Sequence, residues 1–574
     1  MVMFIYLYRC SKSQSVYPCL ESSKNRMPWL SQWSYPLPEE DLLTWTFDHC
    51  EYDKDKPIYI DLENPSRTLS WTQSRAIIRQ LIAGFQAAGL QPGDCVMIAS
   101  FNDIMYCMLF LAIVGAGGIF TGSNPAYTQY EIAHHAKTAR VKYIIVEPEL
   151  LPQILKGSED LVDKENIFIF NVRGQACPEG FRSWEWLTKH GERDWTRFSG
   201  KDRCRKTAVA RLTTSGTTGP PKMAVQSHYN ATSWFTMASE ISVPPWEIRN
   251  LHPLPLFHVA TVPAVHCGPL RRGSTAYIMR RFELESFLAA VEKYEIPLLG
   301  MVPPLVIAII NSPLRHKYSL KSVKRIGCGA APLDKDSGKK LKDLCAPDCT
   351  FTQVLGSTET TGVFTLFYYP DEDDTGSVGN NWFPNSDVKL IDENGNDVTD
   401  YDVQGELCVR GPSIIDGYFD NPKANAESWD HDGFYKTGDI VYCDSRTKKW
   451  YIVDRKKELI KVRGFQVAPP EVEGVLLSHP DIIDVAVIGL PAPANSDAEL
   501  PRAYVVRAPG SNITEDDVHK LVAERLAAYK QLTGGIKFVP EVPKSASGKI
   551  LKRVLREQAQ QELASGAGWM RPKL

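Results

Sequence analysis

Apolar residues recur in two rhythms along this chain, and the alternation between them predicts its architecture. After Leu37-Pro38, a helix is expected to carry Leu42, Leu43, Trp45 and Phe47. Pro57–Asp61 and Thr68–Trp71 then read as a hairpin. A helix capped by Thr72 follows, with Ile77, Ile78, Leu81, Ile82 and Phe85 on one face, ending at Gly89. Cys95-Val96-Met97-Ile98-Ala99 is a continuous apolar run of the kind buried in a parallel sheet. Helix and strand keep alternating through 142–146, 167–171 and 323–327, the signature of an α/β fold with mostly parallel sheets. From Arg455 onward the pattern changes. Ala468-Pro469-Pro470-Glu471 opens a helix closed by His479-Pro480. Thr514-Glu515-Asp516-Asp517 resembles a capping box before Val518, Leu521, Val522 and Leu526. That tail reads as a small α+β domain of about 120 residues behind a charged connector.

Composition changes this picture little. A chain of 574 residues allows about four domains, although single α/β domains often exceed the usual ~150 residues. Hydrophobic content is 43% and charged content 23%, both ordinary for globular proteins. A net charge of −3 suggests neither a nucleic-acid partner nor an anionic membrane. The 17 residues of Ile104–Phe120 carry no charge, but they include Gly115, Gly117 and Gly118 and fall short of the ~20 a membrane span needs. They are expected to form a buried helix running into a strand, in a chain without a membrane span. Thirteen cysteines lie scattered without a Cys-x-x-Cys pair, which fits a reducing compartment; Cys345 and Cys349 have no histidine near them to make zinc plausible. Residues 1–26 are unlike the rest and are expected to be a disordered extension or the product of a mis-set start codon.

Candidate chemistry is concentrated in a few short stretches. Thr213-Thr214-Ser215-Gly216-Thr217-Thr218-Gly219-Pro220-Pro221-Lys222 packs five hydroxyls, two glycines and a lysine after a short strand. Backbone amides, hydroxyls and one ammonium suit a polyphosphate, although a plain Ser/Thr/Gly surface loop has the same composition. The spacing is not that of a Walker loop. His258, after Leu254-Pro255-Leu256-Phe257, reads first as a satisfied core histidine. Gly327-Cys328-Gly329-Ala330-Ala331 puts small residues after a strand, where backbone can lie against a planar ring or merely turn into a helix. Gln353 to Glu359 sets Thr358 beside a carboxylate, and Glu359 suits Mg²⁺ bridging phosphates unless it is only an exposed loop glutamate. Asp439 can accept from both hydroxyls of a ribose, with Arg455 beside it. Lys456, Lys457, Lys461 and Arg463 form a basic ribbon, and Ser547-Gly548-Lys549 is a second Gly-Lys loop.

In this order and spacing the stretches resemble the adenylate-forming superfamily, and within it the 4-coumarate–CoA-ligase-like acyl-CoA synthetases, over roughly residues 35 to 556. The resemblance implies an extension at 1–34, an AMP-binding domain at 35–454 and a small mobile domain at 455–574. It implies that a carboxylate attacks the α-phosphate of ATP to give an acyl-adenylate and pyrophosphate, and that the CoA thiol then displaces AMP to give a thioester. By the same resemblance Thr214, Ser215, Gly216, Thr217, Thr218, Gly219 and Lys222 cradle phosphates. Thr358 contacts phosphate and Glu359 holds Mg²⁺. Gly329, Ala330, Ala331 and Gln353 serve the nucleotide, while Asp439 and Arg455 hold its ribose. Lys549 assists adenylation; Lys461, Arg463, Gly464 and Gln466 serve thioester formation, and Lys457 is the hinge. His258, Ala260, Ala264 and Val354 line the acyl pocket, with His258 at its gate.

Several positions depart from the family pattern. Leu355 replaces an aromatic residue that stacks on adenine, and Val354 replaces a glycine, so the pocket is expected to be narrowed or reshaped. Ala260 stands where plant coumarate ligases carry tyrosine, Met223 replaces a glycine and Arg463 a lysine. No catalytic charge is lost, but the basis for hydroxycinnamate specificity is. A carrier-protein-loading enzyme, a luciferase-like oxygenase and a dead nucleotide-binding protein are the competing readings. The chain has no Gly-Gly-x-Ser carrier site of its own, and its full set of charges argues against the last. The C-terminal Pro-Lys-Leu is a weaker variant of the Ser-Lys-Leu peroxisomal address, so the import receptor is a candidate partner; otherwise the chain is expected in the cytoplasm.

Overall fold

The computed structural model describes residues 33–48, 50–214, 221–462, 465–492, 499–545 and 548–564. Its large N-terminal domain contains two seven-stranded, mostly parallel sheets and a five-stranded antiparallel sheet. The first sheet runs in the order Arg182–Ser183, Ile167–Ile169, Val141–Val146, Cys95–Ala99, Ile119–Ser123, Ala208–Thr214, Lys222–Ser227. Only the last pair is antiparallel, Thr214 lying opposite Lys222. Cys95–Ala99 is buried along its whole length, as its unbroken apolar run requires in a sheet covered on both faces. Helix Ile104–Gly115 is likewise buried at every residue and leads into strand Ile119–Ser123.

The second sheet is parallel from Thr350–Gln353 through Arg325–Cys328, Leu298–Met301, Arg249–His252 and Thr275–Ile278 to Pro57–Asp61. Thr68–Ser70 closes it as the antiparallel half of the expected hairpin. The helix after that hairpin spans Trp71–Ala87, and its cap is Ser70, not Thr72. Ser70 accepts from Gln73 N while Gln73 Oε1 accepts from Ser70 N, so the reciprocal cap moves the helix start ahead of Thr72. The antiparallel sheet orders Asp397–Val398, Asp387–Ile391, Gly405–Arg410, Tyr435–Cys443 and Trp450–Arg455, and sets Asp439 opposite Arg455.

The small C-terminal domain is α+β. Ile482–Pro491 pairs antiparallel with Glu499–Arg507, which pairs parallel with Ile536–Phe538. Helices Pro469–Leu477 and Glu515–Arg525 cover one face through Val472, Leu476, Val518 and Val522, and Lys552–Ala564 covers the other through Leu555 and Ala559. Each buried valine or leucine among them contributes about 1.5–3 kcal/mol. Thr514 and Asp517 form the expected reciprocal cap. Among the described residues, no helix is long and apolar enough to cross a membrane.

Candidate active site

The second sheet's strands end where the motif loops begin, so its carboxyl ends carry the candidate site. Cys328 runs into Gly329-Ala330-Ala331, Gln353 into Val354, and His252 into the loop bearing His258. Ala330 is exposed and holds φ +72, a left-handed conformation that a residue with a Cβ adopts only under constraint. The constraint is visible below it. Gln353 Oε1 accepts from Leu333 N at 2.9 Å and its Nε2 donates to Leu333 O at 2.9 Å, clamping the turn from beneath. Gln353 therefore supports the turn through its side-chain amide. Val354 packs against this turn: its Cγ2 lies 2.8 Å from where a Cβ on Gly329 would stand. Leu355 is buried in the large core. Ala260 is exposed, and Ala264 and His258 are half-buried.

Glu359 is not an exposed loop residue. It sits at the tip of the hairpin Gly356–Ser357/Gly362–Val363, only 8% exposed, and its Oε1 accepts from the Tyr418 hydroxyl at 2.8 Å. Thr358 precedes it, half-buried at the same tip. Tyr418 is held beside strand Lys222–Ser227, because Val225 N donates to Gly417 O and Phe419 N to Met223 O. Lys222 Nζ lies 4.6 Å from the Tyr418 ring centroid, so lysine, ring and carboxylate form one cluster. Thr214 is buried at the end of the neighbouring strand. Ser215, Gly216, Thr217, Thr218 and Gly219 lie outside the described residues, as do Arg463, Gly464 and the Gln466 side chain. Sequence reasoning passed over Tyr418; a lone tyrosine 59 residues after Glu359 carries no local signal.

Asp439, 5% exposed, pairs with Arg455 Nε at 2.6 Å. Its amide donates to Thr437 Oγ1 at 3.0 Å, which tucks the turn under the pair. Burial raises the Asp439 carboxyl, opposed by Arg455 and Lys549, while Asp439 makes the Arg455 guanidinium hold its proton more tightly. Lys549 comes to this pair from the small domain. Burial and the positive charge of Arg455 push its ammonium down, against the pull of Asp439, Glu458 and Glu359. It is also close enough to His258 to help hold that imidazole down at about 4, after burial as the main cause. Gly548, at φ +79, packs so closely that an added Cβ would stand 2.4 Å from Pro304 Cγ of the large domain. Lys461 is placed elsewhere. It is exposed, and its amide donates to Glu499 Oε2 at 2.9 Å within the small domain. Lys457 is exposed on the connector between the domains.

Residues 46–419 match the AMP-binding enzyme model, and residues 471–549 match the AMP-binding enzyme C-terminal domain. The chain belongs to the AMP-binding enzymes. It is 60% identical to the acyl-CoA synthetase ACTT5 of Alternaria alternata over 507 residues, 88% of this chain and 87% of that one. It is 46% identical to the phenylacetyl-CoA ligase epaB of Aspergillus niger over 92% of this chain and 99% of that one. Its fold matches an ATP-bound MatB of Rhodopseudomonas palustris with TM-score 0.76 and 26% identity, covering 91% and 99% of the two chains. The chain is thus an ATP-dependent acyl-CoA ligase, an AMP-forming acid–thiol ligase with ATP, CoA and a carboxylic acid as substrates. Among the described residues no three acidic, imidazole or thiol groups cluster as a metal cage. One buried carboxylate, Glu359, fits Mg²⁺ in the form that takes one or two carboxylates and completes its shell with phosphate oxygens.

Proposed function

We propose that the arrangement described above is the acyl-adenylate-forming one. The observation that carries this reading is Lys549, brought from the far end of the chain into the field of Asp439, Arg455 and Glu359. In this reading Asp439 and Arg455 hold the ribose, while Thr214, Lys222, Thr358 and the loop between 214 and 222 hold the phosphates. Glu359, steadied by Tyr418, holds Mg²⁺, which neutralises phosphate charge when bound. Gly329, Ala330 and Ala331 line the base and the acid; His258, Ala260, Ala264 and Val354 shape the acyl pocket. Lys549 then bridges two anions, the carboxylate and the α-phosphate, whose repulsion otherwise keeps them apart.

Thioester formation needs a second arrangement. Rotation at Lys457, with the domain boundary falling between residues 454 and 455, would withdraw Lys549 and bring in Lys461, Arg463, Gly464 and Gln466. The exposure of Lys461 supports this division of labour. Phenylacetate is the first acid to test, given the 46% identity to a phenylacetyl-CoA ligase. A panel of carboxylic acids scored by pyrophosphate release, with and without CoA, tests the reading. Acid-dependent exchange without CoA is expected, and acid activation that required CoA from the outset would contradict it. Pro-Lys-Leu at the C-terminus supports import into peroxisomes. Residues 560–574 fused to a fluorescent protein should give punctate signal, and diffuse signal would remove that assignment.

A further inference from the structure

The loop carrying His258 lies between strand Arg249–His252 and helix Ala264–Arg272, outside any sheet that could fix its height. Asn102 supplies the missing support. It lies just beyond strand Cys95–Ala99 of the first sheet and is 5% exposed. Its Nδ2 donates to Leu254 O at 2.9 Å and to Met279 O at 3.0 Å, and its Oδ1 accepts from Leu256 N at 2.9 Å. Both amide protons are thereby committed, and they tie two distant segments to one side chain. Leu254 and Leu256 flank Pro255, whose carbonyl accepts from His258 N at 3.2 Å and from Thr261 Oγ1 at 2.8 Å. The chain of contacts therefore runs from Asn102 through Pro255 to His258.

The neighbouring contacts leave this loop little room to shift. Phe257 lies against Gly122, where an added Cβ would stand 2.5 Å from Phe257 Cβ. Arg280, next to Met279, makes two hydrogen bonds to the buried Glu147, whose Oε1 also accepts from Ser100 Oγ and Phe101 N. The platform under Asn102 is thus pinned from both sheets. Its cargo is an oriented ring. His258 Nδ1 accepts from Ala260 N at 3.2 Å, so the neutral imidazole carries its proton on Nε2.

We propose that Asn102 is a positioning residue for acid activation, setting where His258 presents Nε2–H without touching substrate itself. This rests on the reading of His258 as an acyl-site group. A shift of about 1 Å in such a group is enough to cost about 10²-fold in rate. The decisive comparison uses Asn102→Asp, Asn102→Ala, His258→Ala and the two double variants, in the full-length enzyme. Asn102→Asp keeps the shape and the acceptor for Leu256 N but faces the Leu254 and Met279 carbonyls with a carboxylate oxygen. Acid-dependent ATP–pyrophosphate exchange is followed, with KM determined separately for acid and ATP and the melting temperature recorded. Both Asn102 variants are expected to lose about 10-fold or more in kcat/KM for the acid, with KM for ATP within about twofold of the parent. In the His258→Ala background the Asn102 substitutions should add less than about twofold, since the two act as one unit. Should Asn102→Ala fail to fold, the isosteric Asn102→Asp carries the comparison. A full, additive Asn102 penalty on top of a slowed His258→Ala enzyme would overturn the proposal alone. An unchanged acid KM and kcat in His258→Ala would overturn the reading of His258 and the proposal with it.

Discussion

Lys549 and Lys461 belong to the same small domain, yet they meet opposite surroundings. Lys549 sits in the loop that docks on the large domain, among carboxylates, a guanidinium and an imidazole. Lys461 projects from the hairpin Ile460–Val462/Phe465–Val467, whose contact at that residue is with its own domain through Glu499. The docked lysine is partly desolvated and its charge is held in place by Asp439, Glu458 and Glu359; the other stays solvated. A preorganised charge acts on a transition state far more strongly than a solvated one, so of these two lysines Lys549 has the setting that the proposed acid activation requires. Removing it is the most damaging test. Lys549→Ala is expected to lower acid-dependent ATP–pyrophosphate exchange by about 10²–10³-fold, the scale for losing one preorganised donor. Transfer to CoA from a supplied acyl-adenylate should be much less affected.

The reverse substitution sharpens the contrast. Lys461→Ala should leave exchange within about twofold while thioester formation from acyl-adenylate falls by up to about 10²-fold. Equal loss of exchange in both variants would mean that the two lysines act together, and the division drawn here would not stand. Gly548→Ala probes the docking itself, since it changes no charge. Its φ of +79 and the 2.4 Å approach to Pro304 both resist a Cβ, at a cost of about 1–3 kcal/mol for the backbone alone. Exchange should fall by about 10-fold and thioester transfer should be spared, because the clash exists only while the loop is docked.

Much of this contrast is legible in the chain, for reasons that differ by residue. Cys95–Ala99 and Ile104–Gly115 declare themselves because full burial demands unbroken apolar runs. The pairing of Asp439 with Arg455 follows from two strands that adjoin in both sequence and sheet. The Ser70 cap was also readable, since Ser-x-x-Gln has the reciprocal spacing; Thr72, one place inside the helix, competed for it. Tyr418 and Asn102 were not readable. Each acts through contacts that cross 59 to 177 residues, where no period or motif connects the partners. The Gln353 clamp was hidden for a related reason: its place in a ligand motif says nothing of which way its amide faces, and Leu333 takes both ends.

Asp454 gives the mildest and most selective test of the joint between the two domains. It is the penultimate residue of strand Trp450–Arg455, is 7% exposed, and accepts from Arg455 N at 2.7 Å through Oδ1. Its Oδ2 has no hydrogen-bond partner among the described residues. Burial pushes this carboxyl up to about 7; Lys552 and the Arg455 amide oppose the shift, and Glu473 and Glu458 of the small-domain side reinforce it. Because the folded value exceeds the ordinary 3.8, the stability it supports is complete below about pH 4 and is lost as pH rises through about 7. In Asp454→Asn the carboxamide has no charge to bury, and its oxygen can still accept from the Arg455 amide. That variant should therefore melt a few degrees above the parent at pH 8, with the gap closing toward pH 5. Melting curves that ran parallel at the two pH values would mean that Asp454 titrates near its ordinary value, with water reaching the joint. The docked position of Lys549 would then depend less on a dry interface than on Gly548 against Pro304.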